Sequence, residues 1–200
     1  MLGYKKNPVS KRKTVRIEVD GTEYQATYVG KGHYSKVYRV GDRVIYYTRG
    51  DCSKEVLAMY QYDRMAHLPE LVRHENRTVG YTTWYVFSSP FYRNVTTKDK
   101  SAYLLMKKVI RVVMDAFTTG YQAGYKGREL MMLIVHVVKR HQEIPRSIVK
   151  ALQEIVDVTS NCGDYVGFDL HRGNFGVNEY GTLIFRDPVY VGDTAYVGES

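Results

Sequence analysis

Apolar and polar residues alternate where the regular part of the chain begins. Val15, Ile17 and Val19 are separated by Arg16 and Glu18, the period of a half-buried strand, and Asp20-Gly21 supplies a hairpin turn. A return strand is predicted over 22–29, running into Gly30-Lys31-Gly32. Strands at 36–40 and 43–48, divided by Gly41-Asp42, complete an antiparallel meander. The period becomes helical over 54–66, where Val56, Leu57, Met59 and Tyr60 form a stripe. Asp51 or Ser53 can cap that helix, and Leu68-Pro69 ends it. Strand signals return at 71–73 and 79–87, and Ser88-Ser89-Pro90 is expected to break the second. Three helices are predicted over 102–117, 128–142 and 145–159, the last with Pro145 in its first turn. Tyr121, Gly124, Tyr125 and Gly127 read as a loop between helices, and short strands at 176–178 and 182–186 flank a turn at Gly181.

A chain of 200 residues, 44% apolar and 25% charged, has the make-up of one globular domain or two small lobes sharing a core. That excludes wholesale disorder and fibrous repeats. The apolar run 130–138 contains His136 and is far shorter than the roughly 20 residues of a membrane span. Residues 1–13 read as a flexible basic arm carrying Lys5, Lys6, Lys11, Arg12 and Lys13, with no apolar stretch of a signal peptide. Cys52 and Cys162, distant in sequence, make neither a disulfide framework nor a zinc site and are expected as free thiols of a soluble cytoplasmic protein. The net charge of +8 suits acidic partners. Motifs of nucleic-acid-binding classes are absent from the sequence, so no direct nucleic-acid ligand is expected.

Three segments carry candidate chemistry. Gly30 and Gly32 lie between two predicted strands, where bare backbone can approach phosphates. Asp169-Leu170-His171-Arg172-Gly173-Asn174 is a densely polar loop between regular elements. Asp187 ends the strand Leu183-Ile184-Phe185-Arg186 and precedes Pro188. Each alone is ambiguous, and the glycine pair by itself reads first as a plain hairpin turn.

Together they resemble the protein-kinase fold. Gly30, Gly32 and Val37 fit its glycine-rich loop, with Tyr34 at the tip and Ser35 in place of the third glycine. Asp169 and Asn174 have the spacing of the catalytic loop D-x-x-x-x-N. Asp187 follows across one hairpin, where the metal-binding aspartate of D-F-G stands; the motif here reads Asp187-Pro188-Val189. The forms Gly-Lys-Gly-His-Tyr-Ser (30–35), Arg43-Val44-Ile45, Phe168-Asp169-Leu170-His171-Arg172-Gly173-Asn174 and Asp187-Pro188-Val189 are similar to the early serine/threonine kinases of T7-like bacteriophages. The similarity spans about 28–190 and is dense only at these motifs.

The resemblance implies a compact two-lobed α+β fold: a β-rich N-lobe over 14–90 with one helix, and a mainly helical C-lobe over 91–200 with a catalytic hairpin. It implies transfer of the ATP γ-phosphate to host bacterial proteins in the cytoplasm of the infected cell. Asp169 would act on the acceptor hydroxyl, and Asn174 with Asp187 would hold Mg²⁺. His171 would touch the transferred phosphate, and Gly30, Lys31, Gly32, Val37 and Glu55 would serve nucleotide binding. Arg172 reads equally as a second phosphate contact or a solvated arginine. Departures leave two alternatives open: a pseudokinase docking on a bacterial partner, and a kinase-fold transferase with another acceptor. The strand after the glycine loop reads Arg43-Val44-Ile45-Tyr46, with tyrosine where the family has its phosphate-pairing lysine. Lys31, Lys36 and Arg49 are the candidate replacements, Lys31 preferred. Only 13 residues follow Asp187, which is expected to leave no room for an activation segment.

Overall fold

A computed structural model describes residues 13–32, 35–49, 52–59, 65–163 and 165–191. Most of the basic arm, the Asp51 cap, the glycine-loop tip at His33 and Tyr34, and 60–64 of the expected helix lie outside the described residues. The fold is α+β, with a β-rich N-terminal sheet followed by a helical part that carries short strands.

The sheet is built from β1 (Thr14–Val19), β2 (Thr22–Lys31), β3 (Ser35–Val40), β4 (Arg43–Thr48), β5 (Val72–Arg73), β6 (Arg77–Val79) and β7 (Thr82–Pro90), with α1 (Cys52–Met59) inserted after β4. Its order is β1-β2-β3-β4-β7-β5, with β6 also on β7. Asp20 and Gly21 both take positive φ, 49° and 73°, as the predicted hairpin turn requires. The expected single strand over 79–87 is a hairpin instead: Gly80, at φ 61°, turns β6 into β7. Ser88 and Ser89 do not break β7. They pair with Ile45 and Val44 and are buried, Ser88 bonded to Arg43 and His74, and Ser89 to the Tyr46 hydroxyl. Buried hydroxyls with partners are compatible with a strand.

Cross-strand partners share a face, so register defines two sides of this sheet. Gly30, Val37, Tyr46 and Phe87 lie on one side; Lys31, Lys36, Tyr47 and Val86 lie on the other. The second side encloses a small core of Ile17, Val19, Ala26, Ile45, Tyr47 and Val86. The β1–β2 hairpin curls over it. Glu18 reaches Arg77 at 3.2 Å, the Tyr47 hydroxyl donates to the Glu18 carbonyl, and Asp20 accepts from the Glu75 amide at 2.8 Å.

After β7 the chain forms β8 (Arg93–Asn94), α2 (Lys100–Gln122), α3 (Gly127–Arg140) and α4 (Arg146–Val158). All three predicted helices form. Helix α2 runs past the expected end because its buried stripe continues through Ala116 to Gly120. On α3, Met131, Ile134, Val135 and Val138 are buried while His136 is exposed, so only one face of that apolar run is interior. The last section holds β9 (Val166–Phe168), β10 (Phe175–Val177), β11 (Leu183–Phe185) and β12 (Val189–Val191). Strand β10 lies between β8 and β11, and β12 pairs with β9. Phe175 and Phe185 meet edge to face at 5.3 Å inside the larger core, which also takes in Leu57 of α1 and Leu71. Cys162 is disulfide-bonded, against the expectation of a free thiol. Separation along the chain is no measure of separation in space, and α1 lies against the 159–161 turn that leads to it. Among the described residues, no helix is long and apolar enough to cross a membrane.

Candidate functional site

The β9–β12 ladder ends at Phe168 opposite Val189, and one more bond, from the Asp169 amide to the Pro188 carbonyl at 2.8 Å, fixes how the polar loop leaves it. The loop then closes on itself. Asn174 donates from its amide nitrogen to the Asp169 carbonyl at 2.8 Å, which leaves its side-chain oxygen to accept. The His171 Nδ1 accepts from the Gly173 amide at 3.0 Å, so its proton sits on Nε2, 3.8 Å from Asp169 Oδ1. A Cβ at Gly173 would stand 2.7 Å from the His171 ring, so glycine there lets this exposed ring fold back over the loop. The 172–174 turn carries the chain into β10.

Arg186 braces the loop from β11. Its amide donates to the Asn174 carbonyl at 2.8 Å and its guanidinium to the Gly173 carbonyl at 2.6 Å and the Tyr92 carbonyl at 3.3 Å. Burial lowers the Arg186 pKa from its ordinary value. Asp169, Asn174 and Asp187 are thus brought together by backbone bonds on both sides of residues 186–188.

Asp187 is held from the N-terminal half. The Lys54 Nζ on α1 lies 2.9 Å from its Oδ1, and the two side chains are 6% and 48% exposed respectively. The same Nζ stands 5.8 Å from the centre of the Tyr46 ring. Burial pushes the Tyr46 phenol above its ordinary pKa, so it is neutral here at pH 7, and its hydroxyl lies 3.3 Å from Ser89 Oγ. The strand position expected to hold a lysine therefore presents an uncharged ring, and the cation beside it comes from the helix.

The remaining candidates divide by face. Gly30 and Val37 share the Tyr46 side of the sheet. Neither Gly30 nor Gly32 has positive φ, and open space surrounds the position of a Cβ at each. Neither backbone conformation nor packing calls for glycine there. The Gly32 amide is spent on the Ser35 carbonyl at 2.8 Å. Lys31 and Lys36 lie on the opposite side, Lys36 4.8 Å from the centre of the Trp84 ring and Arg49 5.0 Å from it. Glu55 points away as well, pairing with Arg73 of β5 at 3.0 Å. Among the described side chains of α1, Ser53, Lys54 and Leu57 are buried, and Glu55 lies off that stripe. Arg172 is exposed.

Sequence reasoning missed Lys54 and Arg186. The phase of α1 was the available signal for Lys54, since it falls three residues before the core residue Leu57. Among the described residues, no three histidine, cysteine, aspartate or glutamate side chains gather to hold a metal ion. One carboxylate and one amide oxygen, from Asp187 and Asn174, form a partial set. Mg²⁺ uses such sets when water and substrate phosphates complete its shell. The sequence matches no protein-family model and no curated protein.

Proposed function

We propose that the chain is an Mg·ATP-dependent phosphotransferase of the protein-kinase kind, acting on serine and threonine of host bacterial proteins as its resemblance to T7-like phage kinases suggests. The observation that carries this reading is the clamp of the 169–174 loop onto residues 186–188, which joins the segments of Asp169, Asn174 and Asp187, while Asp187 reaches Lys54 beside Tyr46 on the Gly30 side of the sheet. Asp169, partly exposed, is placed to orient an acceptor hydroxyl and take its proton, a role worth roughly 10²–10⁴-fold in rate. Asn174 Oδ1 and Asp187 would hold Mg²⁺, which supplies charge neutralisation of the phosphates. The His171 Nε2–H is exposed and can donate to a phosphate oxygen. Phosphoryl transfer asks for positioning and electrostatics more than covalent participation, and the donors and acceptors here are of that kind.

Incubation with γ-labelled ATP, Mg²⁺ and a bacterial lysate tests the reading. Wild type is expected to transfer label, while Asp169→Ala and Asp187→Ala are not; equal transfer by all three overturns the assignment. A second reading, a nucleotide-binding pseudokinase, is favoured by the uncharged Tyr46 on the Gly30 side of the sheet. It predicts Mg·ATP binding by the wild type without transfer. Label from the α-phosphate would point instead to nucleotidyl transfer.

A further inference from the structure

We infer that Lys54 is the cation that meets the nucleotide phosphates in this site, and that its ion pair with Asp187 is the resting arrangement it exchanges when metal and nucleotide arrive. The inference rests on the phosphotransferase reading and deepens it.

Lysine is among the residues least often buried, and an ammonium taken from water needs a close counter-charge. Lys54 is 6% exposed, with its Nζ 2.9 Å from Asp187 Oδ1. A buried ion pair adds little net stability, because desolvating both ions offsets their attraction. Its place is the informative part. Lys54 stands at the side chain proposed for metal binding and 5.8 Å from the Tyr46 ring, which fills the strand position expected to carry the cation. The other candidates do not share this location. Lys31 and Lys36 occupy the opposite side of the sheet, and Arg49 lies over Trp84 with Lys36.

The two partners differ in access. Asp187 is 48% exposed and open to a cation from solvent, while Lys54 is enclosed. When Asp187 turns to Mg²⁺, the ammonium is released to a phosphate oxygen. Each charge then has a counter-charge before and after, so binding strands no buried ion. Without metal, Lys54 would have to serve both the Asp187 carboxylate and the incoming phosphate, and those two anions repel. Metal and nucleotide are therefore expected to bind together rather than singly.

Two measurements test the assignment on the full chain. The first needs no variant. An ATP acyl phosphate transfers its acyl group to the lysine nearest the phosphates, and peptide mapping of labelled wild type is expected to find Lys54, with excess Mg·ATP protecting it. Label on Lys31 or Lys36 instead overturns the inference. The second is equilibrium titration with a fluorescent Mg·ATP analogue. Lys54→Met is expected to weaken binding on the order of 10- to 100-fold, the worth of a charged hydrogen bond. Lys31→Ala and Lys36→Ala are expected to stay within about twofold, as groups that make no such bond. Adding Tyr46→Lys to Lys54→Met should recover much of the loss, since both side chains reach the same space. Wild-type affinity in a folded Lys54→Met, beside a loss in Asp187→Asn, overturns the Lys54 assignment and leaves the phosphotransferase reading standing. Absence of nucleotide binding by the wild type overturns both.

Discussion

Arg186 braces the candidate site through hydrogen bonds to backbone carbonyls. Two hydrogen bonds from this residue join the 169–174 loop to Asp187's own segment, and a third reaches the Tyr92 carbonyl. Replacing it by methionine leaves the carbonyl of the buried Tyr92 without that donor, a cost of about 1–3 kcal/mol, while the exposed Gly173 carbonyl turns to water. Arg186→Met is therefore expected to lower kcat by roughly tenfold or more through misplacement of Asp169, with KM for ATP changed far less. Steady-state kinetics at varied ATP read the split; a rise in KM alone would place Arg186 in nucleotide binding. Asp169, Asn174 and Asp187 were legible because their spacing is local to one stretch of chain. Lys54 was not. Its relation to Asp187 bridges 133 positions and depends on the rotational phase of a short helix, which a motif does not encode. Glu55 drew attention by its helix position, yet the phase that buries Lys54 turns Glu55 toward Arg73.

Elements with strong local signals were readable, as were the short strands β5, β10 and β11; the remaining short strands were not. The Asp20-Gly21 turn, the meander over β1–β4 and the three amphipathic helices each announce themselves within a short window. Strands β8, β9 and β12 have two or three residues each, too short for any periodicity, and form because β10 or each other supplies the partner. The serines of β7 have the same cause: burial against β4 overrides their preference for turns. Glycines illustrate how an element separates structural from functional demand. Gly21→Ala has open space but must hold φ 73°, so it is expected to cost about 1–2 kcal/mol. Gly30→Ala also has open space and needs no positive φ, so stability should stay within about 0.5 kcal/mol. If the Gly30 backbone lies against phosphates, that variant will instead weaken Mg·ATP binding. Urea midpoints and nucleotide titrations on both proteins give the comparison. Unchanged nucleotide affinity in Gly30→Ala would remove the glycine loop from the site.

At the scale of the whole molecule, the connection after α1 ties the two parts through His67. This buried side chain donates from Nδ1 to the Leu183 carbonyl at 2.7 Å and accepts at Nε2 from Ser147 on α4, at 3.0 Å. Its own carbonyl receives the Phe185 amide at 2.8 Å. The strand that leads to Asp187 is therefore anchored by a residue from the N-terminal half. Burial lowers the His67 pKa below its ordinary 6.5, opposed by the Leu183 carbonyl, so the imidazole is neutral in the fold. The sign follows from proton counting: below about pH 6.5 the unfolded chain takes up a proton that the native His67 does not. Its stabilising contribution is complete above that pH and is lost as pH falls toward the depressed native value. Asp20, whose carboxylate is held below its usual 3.8 by the Glu75 amide and His74, contributes its loss only at more acidic pH. Urea denaturation between pH 5 and 7.5 should therefore show wild-type stability falling on acidification, and the fall should be shallower in His67→Gln. Protonation takes up the Nε2 lone pair, so the bond lost first is the one from Ser147 on α4, while Nδ1 still donates to Leu183 on the strand positioning Asp187; nucleotide affinity should therefore change less than stability over this range. Parallel pH profiles for wild type and His67→Gln would mean that another group carries the titration and that His67 is not the anchor.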